Sequence, residues 1–518
     1  MNEDEVIQRL KTARRELDNL YPVVQMIDDW QFDRENKLWY YHMLITIKTE
    51  NRYFPIASQW YVVVESIYPQ GKVKIYPDIE SSITTTLYHQ SNNYSINKNG
   101  LWRNGALCVD VNTLSSLNPE PFSVDGRMLF HVQRAVEWLY SAANDCLVNS
   151  NELFELPEFN DNIFLKCQFA FSEDIVTFMQ WEDTDCKYGI VDIDCYKSNP
   201  TVFYARTFYS MDNKPILYSH WGTALEKENT ERVSKSPWIL LKSVPTLYDW
   251  QVPETWGELQ EVCKAQGYDI KVILRESTKY LRDGMPHLFL LGFPIPKYWF
   301  KENKIIYWKA FLLPTLSYGH QVPKGFRKNE KGYWYRDITE VFKPHRRIDW
   351  ILSENWNQEE ISQRGKMPKT MQRKRILLIG AGCVGSSIAE IMVRSGIYNL
   401  SIADSDIFKV GNLSRHTLDL SSIGSNKCYS LCSHLNTIMP HAEVKPISNQ
   451  LSLTVENDMP HTNIDIEKYD IIIDCTGEDS VLNTLSSIEL KRPHFLISVS
   501  VGFGCLLYTS DAADDGES

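Results

Sequence analysis

The sequence predicts a multidomain α/β and α+β protein. An α+β domain opens the chain, a β-rich region fills the middle, and a doubly wound βαβ sheet closes it. Three observations predict this. Helical periodicity brackets a set of aromatic, alternating runs in the first 150 residues. The stretch 151–352 is rich in Trp, Tyr, Phe and β-branched runs. From Arg375 onward, continuous apolar runs alternate with helical stretches, the order of a parallel sheet buried on both faces.

In region 1–150, Val6, Ile7, Leu10, Ala13, Leu17 and Leu20 recur at helical spacing. Strand-like runs follow at Leu38–Lys48, Trp60–Tyr68 and Lys72–Tyr76, separated by turn residues such as Pro69-Gln70-Gly71. A polar stretch, His89–Gly105, leads to Gly105-Ala106-Leu107-Cys108-Val109-Asp110. Met128, Leu129, Val132, Val136, Leu139 and Ala143 then mark a second helix. Region 151–352 predicts strands at Ile163–Phe171, Tyr188–Ile193, Val202–Phe208 and Lys304–Leu312, with a helix at Trp256–Gln266. Its composition points to a structural or docking role. Ser353–Lys374 is polar and reads as a linker. In 375–506, strands are expected at Ile376–Ile379, Leu400–Asp404, Val444–Ile447, Tyr469–Cys475 and Phe495–Val501, and a helix at Ser386–Ser395.

Composition narrows the function classes. The 518 residues carry a net charge of −12, which disfavours general binding to nucleic acid or anionic membranes. No run of ~20 apolar residues predicts a membrane span, and the acidic N-terminus is unlike a signal peptide. Eleven cysteines without a framework pattern predict reduced thiols and a cytoplasmic setting. Cys428 and Cys432 lack nearby partners for zinc.

Gly380-Ala381-Gly382-Cys383-Val384-Gly385 sits between a predicted strand and helix, the context that makes a GxGxxG run informative. Gly380 permits the tight turn, Gly382 lets phosphates approach the backbone, and Gly385 allows helix and strand to pack closely. Asp404, at the end of the next strand, can accept hydrogen bonds from ribose hydroxyls. These features suit NAD, FAD or ATP alike. Arg415, three residues after Asn412, and Lys427 then favour a triphosphate losing pyrophosphate, because that step develops negative charge.

Segment 375–505 resembles the ThiF/MoeB/ubiquitin-activating family, a Rossmann-like fold. The family's Gly-rich loop, DxD, N-L-x-R-Q, Lys and D-C-T-D-N match Gly380–Gly385, Asp404-Ser405-Asp406, Asn412-Leu413-Ser414-Arg415-His416, Lys427 and Asp474-Cys475-Thr476-Gly477-Glu478-Asp479. The resemblance implies that ATP and Mg are bound and that a protein's C-terminal carboxylate is adenylated. Gly380, Gly382, Gly385, Asp404, Asp406, Asn412, Arg415 and Lys427 would hold the nucleotide, with Arg415 and Lys427 catalytic. His416 stands where Gln is usual. Gly477 stands where the family has its metal-binding Asp, which leaves Glu478 and Asp479 as the candidate metal ligands.

The N-terminal order of helix, meander, loop with cysteine and helix resembles the ubiquitin-conjugating family. Its Y-P, H-P-N and G-x-C-L-D motifs match Tyr76-Pro77, His89-Gln90-Ser91 and Gly105–Asp110. Cys108 would be the catalytic nucleophile and His89 a structural residue. Ser91 replaces the Asn credited with oxyanion stabilisation, and Asn92 and Asn93 follow it.

The three regions together resemble the ubiquitin-transferase-like component of CBASS antiphage systems. The resemblance implies activation of a cGAS-like nucleotidyltransferase at its C-terminus, conjugation to a target amine, antiviral defence, and a homodimer formed through the adenylation domain. Cys505 reads as a core cysteine. The acidic residues that close 507–518 predict a tail of doubtful origin on a truncated adenylation domain. Two alternatives stay open: an NAD- or FAD-dependent oxidoreductase on the same scaffold, and a non-catalytic partner-binding scaffold.

Overall fold

Val6, Leu10, Ala13 and Leu17 share one face of the helix Glu3–Arg15 and its 3-10 continuation Glu16–Leu20, and all four are buried. They pack on an antiparallel sheet of β1 (Val24–Met26), β2 (Gln31–Asp33), β3 (Leu38–Thr46), β4 (Ala57–Glu65) and β5 (Val73–Pro77). The sheet runs β1-β3-β4-β5, with β2 also on β3. In β3, Trp39, Tyr41, Met43 and Ile45 are buried while their neighbours are half-exposed, the period of two that one covered face imposes. The helix Val124–Ala143 closes this core with Met128, Val132, Ala135, Trp138 and Leu139. Ser123 caps it by accepting the Gly126 N–H. Residues 78–109 form neither helix nor strand. Isolated bridges such as Asp78 to Trp102 and Gln90 to Leu107 hold them in place. The computed structural model describes residues 3–109, 120–226, 234–319, 324–362, 365, 367–456, 459–501 and 507–509.

The middle region is a β-barrel. Its strands are β6 (Gln168–Phe171), β7 (Tyr188–Tyr196), β8 (Asn199–Ser210), β9 (Pro215–Tyr218), β10 (Ser234–Leu240), β11 (His287–Pro296), β12 (Lys304–Leu313) and β13 (Asp349–Asn355). Pairing runs β6-β13-β12-β11-β10-β7-β8 and returns from β8 to β6, with β9 appended to β8. The strand expected at Ile163–Phe171 begins only at Gln168. Ile163–Leu165 is a 3-10 turn, capped by Asn162 and ended by Lys166 in the left-handed conformation, so Ile163 and Phe164 are exposed. β13 extends through Asn355, three residues into the segment whose polarity predicts a linker.

Trp181, Trp238 and Trp308 meet Phe208 edge-on or stacked in one buried cluster. Glu173 lies among them and accepts both indole N–H groups, from Trp181 at 2.9 Å and Trp308 at 2.8 Å. Burial pushes its carboxyl up to about 7, against the hydrogen bonds from Thr177 and the two indoles. An acid with a raised folded pKa keeps its contribution only below the unfolded pKa. Stability is therefore expected to fall by ~3 kcal/mol as pH rises from 4.5 to about 7. Glu173→Gln should gain about 2–3 kcal/mol on wild type between pH 5 and pH 8 in urea unfolding. An equal gap at both pH values would contradict this.

The C-terminal sheet is β16-β15-β14-β19-β20-β21, formed by β14 (Ile376–Ile379), β15 (Leu400–Ala403), β16 (Lys445–Ile447), β19 (Ile471–Asp474), β20 (Phe495–Val501) and β21 (Leu507–Thr509). Between β16 and β19 comes a separate hairpin, β17 (Leu453–Glu456) with β18 (Met459–Thr462). Within this sheet β16, β15, β14, β19 and β20 pair in parallel and β21 adds to β20 antiparallel. Chain order reverses between β14 and β19, the switch point where doubly wound sheets bind ligands. The barrel touches this unit where Gly222 and Thr223 donate to Pro440 and Ala442 carbonyls and Trp221 stacks on His441. No helix among the described residues is long and apolar enough to cross a membrane. Cys505 and residues 510–518 lie outside the described residues.

Candidate active site

After β14 the chain turns at Gly380, whose φ of +93° disfavours any residue with a Cβ. A Cβ there would lie 2.9 Å from the Thr476 nitrogen, so the loops leaving β14 and β19 touch at the switch point. A Cβ on Gly385 would lie 1.9 Å from the Gly380 oxygen, because the helix Cys383–Arg394 packs directly on the loop. Gly382 differs from both. It is the N-cap, no side chain caps the helix, and a Cβ there would meet nothing within 4 Å. The first N–H groups of this helix therefore lack a side-chain partner and sit beside open space, the arrangement that binds phosphate.

Asp404, just beyond β15, braces the loop. Its Oδ2 accepts the Ala381 N–H at 2.7 Å and its Oδ1 accepts the Asp406 N–H at 2.7 Å. Each carboxylate oxygen retains capacity for a further donor. Asp406 in turn holds Lys427, with Nζ 2.7 Å from Oδ2 and the Lys427 N–H on the Asp406 carbonyl. The Lys427 side chain is only 10% exposed, so its stem is fixed by packing. Asn412 uses its Oδ1 on the Lys409 N–H, which commits that oxygen to a local turn. Arg415 is exposed and forms no ion pair with the described carboxylates, so its charge is available to a ligand.

His416 is the residue whose role the sequence left unread. Its Nε2 lies 2.7 Å from the Ala381 carbonyl and must carry the hydrogen, while its Nδ1 accepts the Leu418 N–H at 3.1 Å. Burial holds the ring below its usual range, against the Ala381 carbonyl, and Lys427 lowers it further. A neutral imidazole offers one donor and one acceptor, as a Gln amide does. His416 therefore latches the Gly-rich loop through the Ala381 carbonyl.

Asp474 is buried and its oxygens are taken by Thr476 and Ser498. Glu478 and Asp479 are exposed just after the loop, at the start of the helix Asp479–Ser486. Among the described residues no group of three His, Cys, Asp or Glu is placed to hold a metal. Magnesium at a triphosphate needs only one or two carboxylates beside the phosphates, which Glu478 and Asp479 can supply.

Cys108 belongs to the N-terminal unit and is exposed. Its N–H donates to the His89 carbonyl at 2.9 Å. Asn93 fills the space a Cβ at Gly105 would need, 2.3 Å from Oδ1. The Nδ2 of Asn93 donates to the Ile83 and Thr85 carbonyls, and the Nδ2 of Asn92 to Glu254 and the Glu158 carbonyl. The hydrogens of both amides are thus committed to these carbonyl and carboxylate oxygens. Ser91 is exposed beside them. Cys428, Cys432 and Cys475 are buried, and burial pushes the Cys475 thiol up to about 12.

Two family models match the chain: the Cap2 central linker domain over residues 145–356 and the ThiF family over residues 353–516. The ATP-dependent ubiquitin transferase-like protein Cap2 of Enterobacter hormaechei is 30% identical over 465 residues, which cover 87% of this chain and 75% of that protein. The adenylyltransferase and sulfurtransferase UBA4 of Debaryomyces hansenii is 34% identical over 131 residues, covering 25% of this chain and 28% of that protein. The molybdopterin-synthase adenylyltransferase of Escherichia coli is 28% identical over 120 residues, covering 23% of this chain and 46% of that protein.

Proposed function

The chain belongs to the Cap2 family of ATP-dependent ubiquitin transferase-like proteins, and on that premise we propose that it adenylates the C-terminal carboxylate of a protein with ATP and passes the acyl group through Cys108 to a target amine. The observation that carries this reading is Lys427 held by Asp406, two residues beyond the Asp404 that braces the Gly380–Gly385 loop at a helix N-terminus with no side-chain cap. Hydride transfer to a dinucleotide has no use for that cation.

The chemistry follows from the residues. The substrate carboxylate attacks the α-phosphorus, and the bond to pyrophosphate breaks. The N–H groups after Gly382 hold phosphate oxygens, Asp404 receives the ribose hydroxyls, and Lys427 and Arg415 stabilise the charge that develops on the leaving group. Glu478 and Asp479 would hold magnesium, which would neutralise phosphate charge when bound. At the second centre the Cys108 thiolate attacks the acyl carbon of the thioester handed on by the activating cysteine that the resemblance implies, that C–S bond breaks, and the carrier thiolate leaves. An amine then attacks the thioester, the C–S bond breaks, the thiolate departs and the amine loses a proton. The partner we assign is a cGAS-like nucleotidyltransferase, in antiphage defence in the cytoplasm, with the adenylation unit paired in a homodimer.

The test is to incubate the protein with ATP and this partner and look for a thiol-labile adduct by intact mass. The adduct is expected on wild type and absent from Cys108→Ala. An undiminished adduct on Cys108→Ala would overturn the assignment.

A further inference from the structure

The run Glu152-Leu153-Phe154-Glu155-Leu156-Pro157-Glu158-Phe159 places a glutamate at every third position, yet it forms no helix. It is a strap with two sides. Phe154 packs on Trp299 at 4.5 Å between ring centroids and Phe159 on Trp350 at 4.9 Å, which anchors the strap to the barrel unit. The carboxylates turn the other way, onto the loop that precedes Cys108. Glu155 Oε2 is 2.8 Å from His89 Nδ1, and Glu152 Oε2 is 3.8 Å from His89 Nε2. Glu158 Oε2 accepts the Asn92 N–H at 2.8 Å. Glu254, from the segment before the helix Trp256–Ala265, accepts the Asn92 Nδ2 at 2.9 Å.

The held residues hold the thiol's backbone in turn. His89 is buried with φ of +54°, a left-handed conformation that a non-glycine residue keeps only when its surroundings enforce it. Its carbonyl accepts the Cys108 N–H, and the Ser91 N–H donates to the Ala106 carbonyl, each at 2.9 Å. Facing a carboxylate at hydrogen-bond distance, His89 Nδ1 carries the hydrogen. The chain of contacts thus runs from strap carboxylates to the His89 ring, and from the His89 carbonyl to Cys108.

We infer that the strap is a positioning clamp for acyl transfer: Glu152 and Glu155, acting through His89, set the orientation of Cys108 from outside its own sheet. This rests on the reading of Cys108 as an acyl carrier. The two carboxylates touch no reacting atom, so they are positioning residues. Removing them leaves the thiol chemically intact and lets its loop wander. The loss should therefore fall on the rate of attack at the charged thioester and spare the affinity for the amine.

The test bypasses ATP. Cys108 is charged with a glycine-ended peptide thioester of 2-mercaptoethanesulfonate. The thiolate attacks the carbonyl, the C–S bond to the mercaptan breaks, and mercaptoethanesulfonate leaves. Discharge to free lysine is then followed by mass. The Glu152→Ala/Glu155→Ala variant is expected to discharge ~10-fold more slowly at saturating lysine, with the KM for lysine unchanged. Glu155→Gln keeps an acceptor for the ring N–H and should stay within ~2-fold of wild type. Equal discharge by the double variant and wild type would overturn the clamp alone. Wild-type protein that takes up no more peptide than Cys108→Ala would overturn the acyl-carrier reading itself.

Discussion

Lys427→Ala is expected to lower ATP–pyrophosphate exchange by about 10²–10³-fold, the usual cost of removing a charge aimed at a developing anion. The fold should survive the change. The partner carboxylate of Asp406 is 69% exposed, so it returns to water once the lysine is gone. Only the Asp406 side of the pair is solvated, so the ion pair itself is worth ~1 kcal/mol, and truncating the packed Lys427 stem adds a packing loss to it. Lys427→Arg is expected to recover only part of the rate, because a planar fork does not reproduce a point charge on a fixed stem. Rates measured alongside thermal unfolding check this. A variant that melts like wild type and exchanges like wild type would remove Lys427 from the chemistry.

The second large effect separates two glycines that look alike in the sequence. Gly385→Ala would bring a Cβ to 1.9 Å from the Gly380 oxygen, so the backbone must shift. We expect a loss of about 3 kcal/mol of stability, with nucleotide binding lost as the loop deforms. Gly382→Ala meets nothing within 4 Å and should fold as wild type does. Its methyl group would nonetheless stand where phosphates approach, and ATP affinity should fall about 10–100-fold, or ~1–3 kcal/mol. Thermal unfolding and titration calorimetry on the two variants read both effects. Wild-type ATP affinity in Gly382→Ala would show that phosphates do not use this face of the loop.

Features written into single residue types were legible in the sequence. The turn after β14 needs left-handed backbone, so it shows as Gly380. The strand Ile376–Ile379 is buried on both faces, so it shows as an unbroken apolar run. Features made by distant partners were not legible. The barrel closes because β6 pairs with both β13 and β8, and nothing local to Gln168–Phe171 announces either neighbour. Asn92 and Asn93 follow Ser91, which stands where the resemblance places an oxyanion donor. The groups that occupy Asn92, Glu158 and Glu254, lie 66 and 162 residues further along the chain. His416 looked like a departure from the usual Gln. Only the Ala381 carbonyl and the Leu418 N–H reveal that the ring ties the Gly-rich loop to the segment after it.

Adenylation is the step in which this protein uses ATP to activate a carboxylate and releases pyrophosphate. Exchange of labelled pyrophosphate into ATP tests it, run with the proposed partner, a cGAS-like nucleotidyltransferase, bearing either its free C-terminal carboxylate or an amidated C-terminus. Exchange is expected to require the free carboxylate and to disappear with the amide. No exchange with either form, together with tight binding of NAD in the Gly380–Gly385 crevice, would contradict it.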